Sequence, residues 1–409
     1  MFDYEYPPLG GGGGVVHELI AEELATRHGV TVVTSAGPGL PERELRAGVE
    51  IVRVPVWGRS DRSVASMQSM LTFPPAAWLA GRELLKARSY DLVNAHFAVP
   101  TGPGSLPLAR LAGLPHVLSI HGGDIFDPSK RASPHRIPPL RWAVTELLKR
   151  SDRVVAQSTD TREKALHYYT AGRDIDVIPL GIRRPPPGSP DRRSLGLPED
   201  RFVVSTVGRL VRRKGLDNLL SALARPECAE VHLVVVGSGP EREDLEELAE
   251  ALGMASRVTF TGWVDEAQKW QILRASDAYV SATLHEGFGL MFLEAMAVGV
   301  PVVTPNHGGH TDFLRDGITG YLVPPSNNEA LSEAVARLVA DEDAAARMGA
   351  ANRELFESRY TIQHCARAYE DLFAEVLGTG TAPDSEPGPA GTPKGAARSR
   401  GRSAMAVGV

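Results

Sequence analysis

Two glutamates lie eight positions apart in the segment HEGFGLMFLEAMAVGVP, which covers residues 285–301 and is otherwise mostly apolar. Glu286 precedes Gly287-Phe288-Gly289, which can form a tight turn because glycine adopts backbone angles that other residues avoid. Glu294 lies more than a turn along the helix that the apolar spacing predicts from Leu290 onward. Both carboxylates accept hydrogen bonds, so this pair could hold hydroxyl groups. The alternative is a helix cap at Glu286 and a solvated Glu294.

A basic loop, VGRLVRRKG at residues 207–215, closes an apolar strand just before a predicted helix. It carries four cations, of which Arg209 is the first and Lys214 the last. Phosphate is the ligand that this pattern favours, since arginine offers a bidentate fork and lysine a point charge. The helix N-terminus predicted near Gly289 and Leu290 would add free backbone amides for the same phosphate. A solvated basic loop is the alternative interpretation.

A further candidate is His121, which directly follows the apolar strand predicted at residues 116–120. Gly122 and Gly123 come next, and their missing side chains would let a substrate approach the backbone closely. A lone histidine is usually structural. The two glycines nevertheless favour a position at a cleft, where its ring could serve a ligand.

Two glycine-rich turns could also lie beside an anion. The glycine run at residues 10–14 precedes an amphipathic helix whose N-terminus would present free amides, although a flexible loop is the alternative. Gly239 lies in the turn Gly237-Ser238-Gly239-Pro240 after a predicted strand. A dinucleotide site would need an acidic residue in VTVVTSAG, and a Walker loop would end in Gly-Lys-Ser or Gly-Lys-Thr. Neither requirement is met.

The basic loop and the two glutamates together outline a ligand. A phosphate between two hydroxyl-bearing groups is the pattern of a nucleotide sugar, with ribose on one side and the transferred sugar on the other. Arg209 and Lys214 would face its phosphates. The sequence therefore predicts a donor site for a nucleotide sugar.

The candidate residues follow strands in a chain where short apolar runs alternate with helical patterns. Such alternation predicts an α/β protein with parallel sheets and crossover helices. In doubly wound sheets, ligands bind outside the carboxyl ends of the strands, which is where these residues lie. The predicted strands are Val30-Thr34, Glu50-Val54, Leu92-His96, His116-Ile120, Arg153-Gln157, Ile175-Ile178, Phe202-Val207, Val231-Val236, Val258-Thr261, Ala278-Ser281 and Pro301-Val303.

The length of the chain predicts two domains. Its 409 residues are 43% hydrophobic and 23% charged, which suits two globular cores. Residues 183–200 contain five prolines and several charges, and this composition predicts a linker between domains at 1–182 and 201–360. Residues 378–409 are rich in Gly, Pro, Ala and Arg, so we expect a disordered tail there.

Composition also excludes several protein classes. The two cysteines, Cys228 and Cys365, match no metal-binding spacing and no disulfide framework, which favours a reducing compartment. No apolar run reaches the roughly 18 residues of a spanning helix. The first residues lack the pattern of a signal peptide, so we expect a cytoplasmic protein. The net charge of −6 argues against general nucleic-acid binding.

The motifs and their order resemble those of a known family. VGRLVRRKG, GSGP, TGWV, HEGFGLMFLEAMAVGVPVV and NHGGHTDFLRDGITGYLVPP are similar to the motifs of the fourth family of retaining glycosyltransferases. The resemblance covers about residues 3–377. It implies the GT-B fold, in which two Rossmann-like domains with doubly wound parallel sheets face a cleft. The second domain would bind the donor, the first would bind the acceptor, and a last helix at about 361–377 would cross back.

The resemblance implies roles for individual residues. Arg209 and Lys214 would hold the diphosphate, Glu294 the ribose hydroxyls, and Glu286 a hydroxyl of the transferred sugar. His121 would reach that sugar from the first domain. The other donor-binding candidates offer backbone amides, border the phosphates or flank the base: Gly13, Gly14, Gly239, Trp263, Val264, Gly287, Phe288, Gly289 and Leu290.

The resemblance also implies a reaction. A hexose would pass from a UDP-linked or GDP-linked sugar to a glycan or lipid-linked glycan with retention of configuration. No metal and no further cofactor would be needed. Catalysis would rest on positioning and on neutralising the departing diphosphate, because no carboxylate is obviously placed as a nucleophile.

Two positions depart from the family pattern. A full hydrophobic strand usually precedes the glycine loop, whereas only Met1-Phe2-Asp3-Tyr4 come before Glu5-Tyr6-Pro7-Pro8. We therefore expect a missing central strand, with either a reading frame that begins further upstream or a form of the protein that is unstable. Asp312 stands where a glutamate is usual, so one contact there would differ.

Other functions remain open at this point. An epimerase of similar architecture would convert the donor without an acceptor, and a binding subunit would keep the pocket without turnover. A complete set of basic-loop cations and glutamates argues against lost activity, and the missing acidic residue disfavours a dehydrogenase. Asp174-Ile175-Asp176 resembles a metal-binding DxD motif, but it begins a strand of the first domain away from the phosphates, so we predict no metal there.

We also expect the acceptor side of the first domain to contact an anionic membrane loosely and reversibly. Between Ser129 and Arg153, seven cations stand against two acids in a chain that is acidic overall. The alternative is an ordinary amphipathic helix with solvated cations. A separate apolar set could enter the lipid interface: Met67, Met70, Leu71, Phe73 and Trp78.

Overall fold

A computed structural model of the chain describes residues 1–60, 65–128, 133–169 and 173–379. Within these ranges, strands and helices alternate as predicted and build two α/β units with separate sheets. Residues 183–200, the predicted linker, contain neither a helix nor a strand. The predicted tail lies outside the described residues from position 380 onward.

The first unit contains two sets of strands. Three strands pair in the order β1-β3-β2 and four in the order β4-β5-β6-β7: β1 (Val30–Ser35), β2 (Arg43–Arg46), β3 (Val49–Val54), β4 (Val93–His96), β5 (His116–Ile120), β6 (Arg153–Ala156) and β7 (Asp176–Val177). All pairs are parallel except β2 with β3. The sequence did not predict β2, because its residues RELR have no apolar run and none of them is fully buried.

The first three residues correct the expectation that a central strand is missing. Phe2 forms parallel bridges with Val33 of β1 and Ala95 of β4. Its N–H donates to the Asn94 carbonyl at 2.9 Å, and its carbonyl accepts from the His96 N–H at 2.9 Å. Residues 1–3 therefore occupy the central position and connect the two sets of strands, so neighbouring ladder groups are paired there.

The second unit is a six-stranded parallel sheet. Its strands lie in the order β10-β9-β8-β11-β12-β13: β8 (Phe202–Val207), β9 (Val231–Val236), β10 (Val258–Gly262), β11 (Ala278–Val280), β12 (Val302–Pro305) and β13 (Gly320–Val323). The chain order reverses between β8 and β11. A crevice at the carboxyl ends of these two strands is the usual ligand site of such a sheet. The sequence did not predict β13.

Twelve α-helices in the described residues accompany these sheets: α1 (Gly12–Ala25), α2 (Met67–Ala87), α3 (Gly102–Ala112), α4 (Pro138–Arg150), α5 (Thr159–Tyr168), α6 (Leu216–Leu223), α7 (Arg242–Ala251), α8 (Glu266–Ala275), α9 (Leu290–Val298), α10 (Asn328–Ala340), α11 (Glu342–Arg359) and α12 (Ile362–Leu377). Helix α9 is almost wholly buried. It therefore packs against neighbours all round, and the turn before it is anchored in the core.

The apolar set around Pro74-Pro75 belongs to α2, a helix with a capping box between Ser66 and Ser69. Phe73 is fully buried, and its ring packs edge-on against Tyr4 at 5.3 Å between centroids. The expectation that Phe73 enters a lipid interface is therefore wrong. The side chain faces the core because the helical period separates it from the exposed positions of α2.

Helix α12 returns to the first unit, as the resemblance implied. The Ile362 N–H donates to the Ile182 carbonyl at 2.8 Å where the chain crosses. The Tyr369 hydroxyl donates to Ser119 Oγ at 3.0 Å in the first sheet. Buried residues of the helix, including Leu372, join a core cluster that also contains residues of α1 and α9. The helix therefore ties the two units together.

Replacing Leu372 should test this docking. Leu372→Ala removes a buried side chain and should lower the free energy of unfolding by about 2–5 kcal/mol. Leu377→Ala, at a 38% exposed position of the same helix, is the matched control and should change it by less than about 1 kcal/mol. Urea unfolding of both variants provides the measurement. Equal stability losses in the two would contradict a docked α12.

Candidate active site

The strand order brings the basic loop and the first glutamate together. The loop 207–215 follows β8, and Glu286 follows β11, its direct neighbour. The Lys214 Nζ lies 2.7 Å from Glu286 Oε2, and an Arg213 guanidinium nitrogen lies 3.6 Å from the same oxygen. The side chains of Lys214 and Glu286 are 11% and 13% exposed, so this ion pair is mostly out of water.

Burial and pairing act against each other on these charges. Burial alone would raise the pKa of the Glu286 carboxyl, but the charges of Lys214 and Arg213 outweigh it and hold that pKa below its usual value. Burial lowers the pKa of Lys214, while Glu286 counteracts this. An opposite charge at this distance favours the charged form of each partner. Glu286 is therefore an ionised carboxylate that can accept hydrogen bonds.

Arg209 belongs to the same basic loop as Lys214, and its side chain is exposed. A small cavity at the end of β8 is lined by Arg209, Lys214 and Met291 of α9, among others. Gly239 borders this loop closely, since a Cβ atom there would lie 2.2 Å from the Leu210 carbonyl oxygen. Two of the predicted donor-binding loops are therefore in direct backbone contact.

The turn from Gly287 to Leu290 leads into α9, which begins at Leu290. Gly289 has a φ of 91°, and a Cβ atom there would lie 2.4 Å from the Phe292 ring, so only glycine fits. The Phe288 side chain is buried, with its ring 5.0 Å from that of Phe313. Phe288 thus anchors the turn in the core and leaves its backbone as the part available to a ligand.

Glu294 lies along α9, and its carboxylate has a partner that the sequence did not predict. The Lys269 Nζ of α8 lies 2.7 Å from Glu294 Oε1 and 2.7 Å from Glu266 Oε1. Burial raises the pKa of Glu294, and Lys269 partly offsets this effect. Lys269 therefore helps to keep a buried carboxylate available as a hydrogen-bond acceptor.

The glycine loop and His121 approach this site from the first unit. A Cβ atom on Gly12 would lie 3.5 Å from Leu290 Cδ1, which places the loop opposite the start of α9. Cβ atoms on Gly13 and Gly14 would meet the Phe97 ring and the Glu5 carbonyl oxygen, at 2.6 Å and 1.8 Å. Both glycines are therefore required by close packing, whatever ligand they border.

The ring of His121 packs on Phe97 with 4.7 Å between centroids. Its carbonyl oxygen accepts a hydrogen bond of 2.6 Å from Gln157 Nε2, and a Cβ atom on Gly287 would lie 3.4 Å from that oxygen. His121 thus lies where the two units meet, beside residues 286–290, which we call the glutamate turn. Burial lowers its pKa to about 4, so the imidazole is neutral near pH 7.

Two hydrogen bonds connect the units beside this point. The Ser158 hydroxyl donates to the Gly287 carbonyl at 2.8 Å. The Thr159 N–H, at the first position of α5, donates to Asp312 Oδ2 at 2.6 Å. A carboxylate at a helix N-terminus is favourable because it faces unpaired amides and the positive end of the dipole. Asp312, the departure noted in the sequence, therefore makes a contact between the two units.

Trp263 and Val264 follow β10, an edge strand of the second sheet. Trp263 follows β10, two strands away from β8, and its side chain is 78% exposed. The Val264 side chain packs against a core cluster that contains Leu197 and Val203. Only the exposed indole and the backbone of this segment could serve a base.

Comparisons with known proteins identify the family of the chain. Residues 10–184 match the family described as Glycosyltransferase Family 4, and residues 189–355 match Glycosyl transferases group 1. A GDP-mannose-dependent alpha-(1-6)-phosphatidylinositol monomannoside mannosyltransferase of Mycobacterium tuberculosis is 30% identical over 392 residues, which cover 90% of this chain and 96% of the relative. The chain belongs to glycosyltransferase family 4.

Solved structures show the same fold at lower sequence identity. Sucrose-phosphate synthase from Thermosynechococcus elongatus aligns with a TM-score of 0.76 and 24% identity, over 90% of this chain and 94% of that one. Anabaena HepE in complex with UDP-glucose aligns with a TM-score of 0.70 and 22% identity, over 92% and 98%. The glycosyltransferase therefore has the predicted GT-B fold. These relatives give no support to an epimerase or a binding subunit.

In this glycosyltransferase, Asp176 of the DxD-like motif is engaged elsewhere. Both of its oxygens accept from the Arg153 guanidinium, at 2.8 and 2.9 Å. Across the ranges that the structure describes, no three histidine, cysteine or acidic side chains are grouped as metal ligands. Asp176 therefore has a structural contact that accounts for its charge.

Sequence reasoning missed several residues of this glycosyltransferase site. Arg213 was one cation of the basic loop, but no sequence signal separated it from its neighbours. Lys269 and Glu294 are far apart in sequence, so only the packing of α8 on α9 connects them. His96 follows the same rule that identified His121, since both lie at the carboxyl end of a strand. That rule could have identified it.

Removing the cations should abolish sugar transfer. Arg209→Ala or Lys214→Ala should lower kcat by about 10²–10³-fold, because each cation opposes the charge of a departing diphosphate. Arg212→Ala, at an exposed position of the same loop, is the matched control and should keep near-normal turnover. Melting temperatures of all three variants would separate lost catalysis from lost folding. Near-normal turnover of Arg209→Ala or Lys214→Ala would contradict the assignment.

A pH profile should report the charge on Glu286. Arg213→Ala removes one of the two cations that hold the pKa of Glu286 down, so that pKa should rise. The pH below which donor affinity falls should then be higher than in the wild type. Donor affinity at alkaline pH should change little. Donor dissociation constants measured between about pH 4 and pH 8 provide the test. An unshifted acid limb, identical to that of Arg212→Ala, would show that Arg213 does not act on Glu286.

Proposed function

We propose that the enzyme transfers a hexose from a UDP-linked or GDP-linked sugar to a glycan or lipid-linked glycan, with retention of configuration and without a metal. The observation that carries this proposal is the buried contact of Lys214 with Glu286 at the carboxyl ends of β8 and β11. It places cations for a diphosphate beside a carboxylate for hydroxyl groups.

The arrangement suggests how the reaction proceeds. Arg209, Arg213 and Lys214 would neutralise the diphosphate as it departs, together with the amides at the start of α9. Glu286 is already held by two cations, which suits a hydrogen-bond acceptor better than an attacking nucleophile. The acceptor oxygen would then approach on the side of the leaving phosphate, which retains the configuration. Positioning supplies the remaining acceleration.

The same charges support the proposal that no metal is needed. A diphosphate that meets three cations and a helix N-terminus has its charge balanced by the protein itself. The carboxylates nearest to the basic loop and along α9 are each paired with lysine. Such pairing leaves them poor ligands for a divalent cation.

The relatives suggest classes for the donor and acceptor. The mycobacterial relative is named for GDP-mannose and a phosphatidylinositol monomannoside, and HepE was solved with UDP-glucose. We therefore propose a hexose linked to one of these two nucleotides, and an acceptor that is a glycan or a lipid-linked glycan.

A reversible membrane contact remains part of the proposal, with a different set of residues. Among the described residues, no helix is long and apolar enough to span a bilayer. The exposed apolar face of α2, which we call the α2 stripe, lies beside exposed Trp57 and could enter a lipid interface: it consists of Met67, Leu71, Pro75 and Leu79. Met70 and Trp78 pack partly against the core.

The basic segment supports this contact less strongly than its composition suggested. Arg141 donates to the Tyr168 carbonyl, and Arg150 pairs with Glu146. Arg153 pairs with Asp176 and with Glu375 of α12. Lys130 and Arg131 lie outside the described residues. Several of the cations thus have intramolecular roles, and the α2 stripe becomes the main support for membrane contact.

Chelation should leave activity intact. Because protein cations balance the diphosphate, transfer should continue in EDTA at an unchanged rate. NMR of the product formed in EDTA should show the same anomeric configuration as the donor. Loss of activity that magnesium or manganese restores would contradict metal independence, and an inverted product would contradict retention.

Liposome sedimentation should test the α2 stripe. Wild-type protein should bind anionic vesicles at low salt, and the double substitution of Met67 and Leu71 by serine should abolish binding. Ile318→Ser, at an exposed apolar position of the second unit, is the control and should bind like wild type. Failure of wild-type protein to bind anionic vesicles at low salt would favour a soluble acceptor.

A further inference from the structure

Three histidines are stacked within the first unit and end at the donor site. The rings of His17 and His96 lie 3.9 Å apart between centroids, and those of His96 and His121 lie 5.1 Å apart. His96 Nδ1 and His121 Nε2 are within hydrogen-bond distance at 2.9 Å. All three side chains are buried. A proton must lie between these two nitrogens, and neighbouring groups decide which ring supplies it.

Asn94 fixes the proton on His96. The Asn94 amide nitrogen lies 3.2 Å from the Val117 carbonyl oxygen, which can only accept, so that nitrogen is the donor there. The Asn94 Oδ1 therefore faces His96 Nε2, at 2.9 Å. An amide oxygen can only accept, so His96 Nε2 carries the hydrogen. Its Nδ1 is then a bare acceptor in a neutral ring.

The charge states agree with this assignment. Burial holds the pKa of His96 well below its usual value, so the ring has one proton and not two. The hydrogen between the rings must then belong to His121 Nε2. His121 is also neutral near pH 7, because burial lowers its pKa to about 4. His121 Nδ1 consequently has a lone pair and no hydrogen.

His17 does not compete for the same acceptor. Its Nδ1 lies 2.7 Å from Asp3 Oδ2, and its contact with His96 is ring stacking. The Asp3 carboxylate also accepts from the Glu5 N–H at 2.8 Å, which holds it in the loop before α1. The bond between His96 and His121 is thus the one that determines the tautomer of the ring at the cleft.

The free nitrogen of His121 lies beside the donor site. Among the described residues, His121 Nδ1 is a buried atom that makes no hydrogen bond, and the nearby Gln157 side chain, which donates to the His121 carbonyl, only slightly offsets the effect of burial on the pKa of the ring. The same residue contacts Phe97, which lines Gly13 of the glycine loop, and its carbonyl oxygen lies beside Gly287. A buried acceptor without a partner costs free energy unless a ligand supplies a donor.

We propose that Asn94 and His96 are positioning residues that hold His121 as its Nε2–H tautomer, so that His121 Nδ1 accepts a hydrogen bond from a hydroxyl of the transferred sugar. This inference rests on the proposed function, because it needs a sugar in the cleft. It makes the site selective for a sugar with a hydroxyl at that position. A sugar that lacks this hydroxyl would leave His121 Nδ1 without a hydrogen-bond donor. A sugar with a carboxylate in place of the hydroxyl would bring an acceptor against the lone pair of Nδ1, which is unfavourable.

NMR of full-length protein labelled with ¹⁵N-histidine should read the tautomer directly. His121 should show a protonated Nε2 and an unprotonated Nδ1 near pH 7, with its signals assigned from their absence in His121→Gln. This measurement needs neither donor nor activity. A protonated Nδ1 with a bare Nε2 in the wild-type protein would overturn the proposal.

Donor analogues should show the consequence for binding. Calorimetry with the preferred nucleotide sugar and its monodeoxy derivatives should reveal one position whose loss weakens wild-type binding about tenfold or more. In His96→Leu this discrimination should fall below about threefold. His96→Gln should restore it, because its amide can accept from His121 and donate to Asn94. Affinity for the nucleotide diphosphate alone should be equal in all variants.

His116→Leu is the matched control, since His116 is a buried histidine of β5 that is bonded to Ser105 and Ser151. Its discrimination among deoxy donors should equal that of wild type. Should His96→Leu not fold, Asn94→Leu is the second variant and should lose the same discrimination. Retained discrimination in a folded variant would overturn the inference. Absence of any nucleotide-sugar binding by wild type would instead refute the proposed function, and the NMR result would stand.

Discussion

The parallel sheet of the second unit reverses its strand order between β8 and β11, and the candidate donor site depends on this constraint. At that point the helices that follow two adjacent strands lie on opposite faces of the sheet. The loops that follow β8 and β11 therefore lie apart and leave a crevice at the carboxyl ends of the strands. The basic loop fills one side, and the glutamate turn before α9 fills the other. Lys214 and Glu286 are 72 positions apart in the sequence, and this strand order is what brings them into contact.

Burial makes the charges of this crevice both costly and specific. Removing a carboxylate and an ammonium from water costs several kcal/mol per ion, so such pairs contribute little net stability. Their value lies in preorganisation. Lys214 with Arg213 holds Glu286, and Lys269 holds Glu294, before any ligand arrives. Carboxylates that are already fixed need no rearrangement to accept a hydrogen bond.

The two units are held against each other at several points around the cleft. Helix α12 docks on the first unit, while Ser158 and Thr159 of the first unit bond to Gly287 and Asp312 of the second. Because Gly287 belongs to the glutamate turn, the contact between the units also fixes the position of that turn. Residues 1–3 add a further constraint, since they fill the central ladder of the first sheet and place the glycine loop opposite α9.

The sequence by itself determined the fold class, most strands and the principal site candidates, because hydrophobic period and glycine turns are local signals. The strands Phe202–Val207 and Val231–Val236 have the predicted bounds, while polar β2 had no local signal. Only the tertiary structure identified Lys269 as the partner of Glu294, assigned Asp312 to the contact between units and buried Phe73. These results depend on which distant surfaces pack together, and local sequence patterns carry no information about that packing.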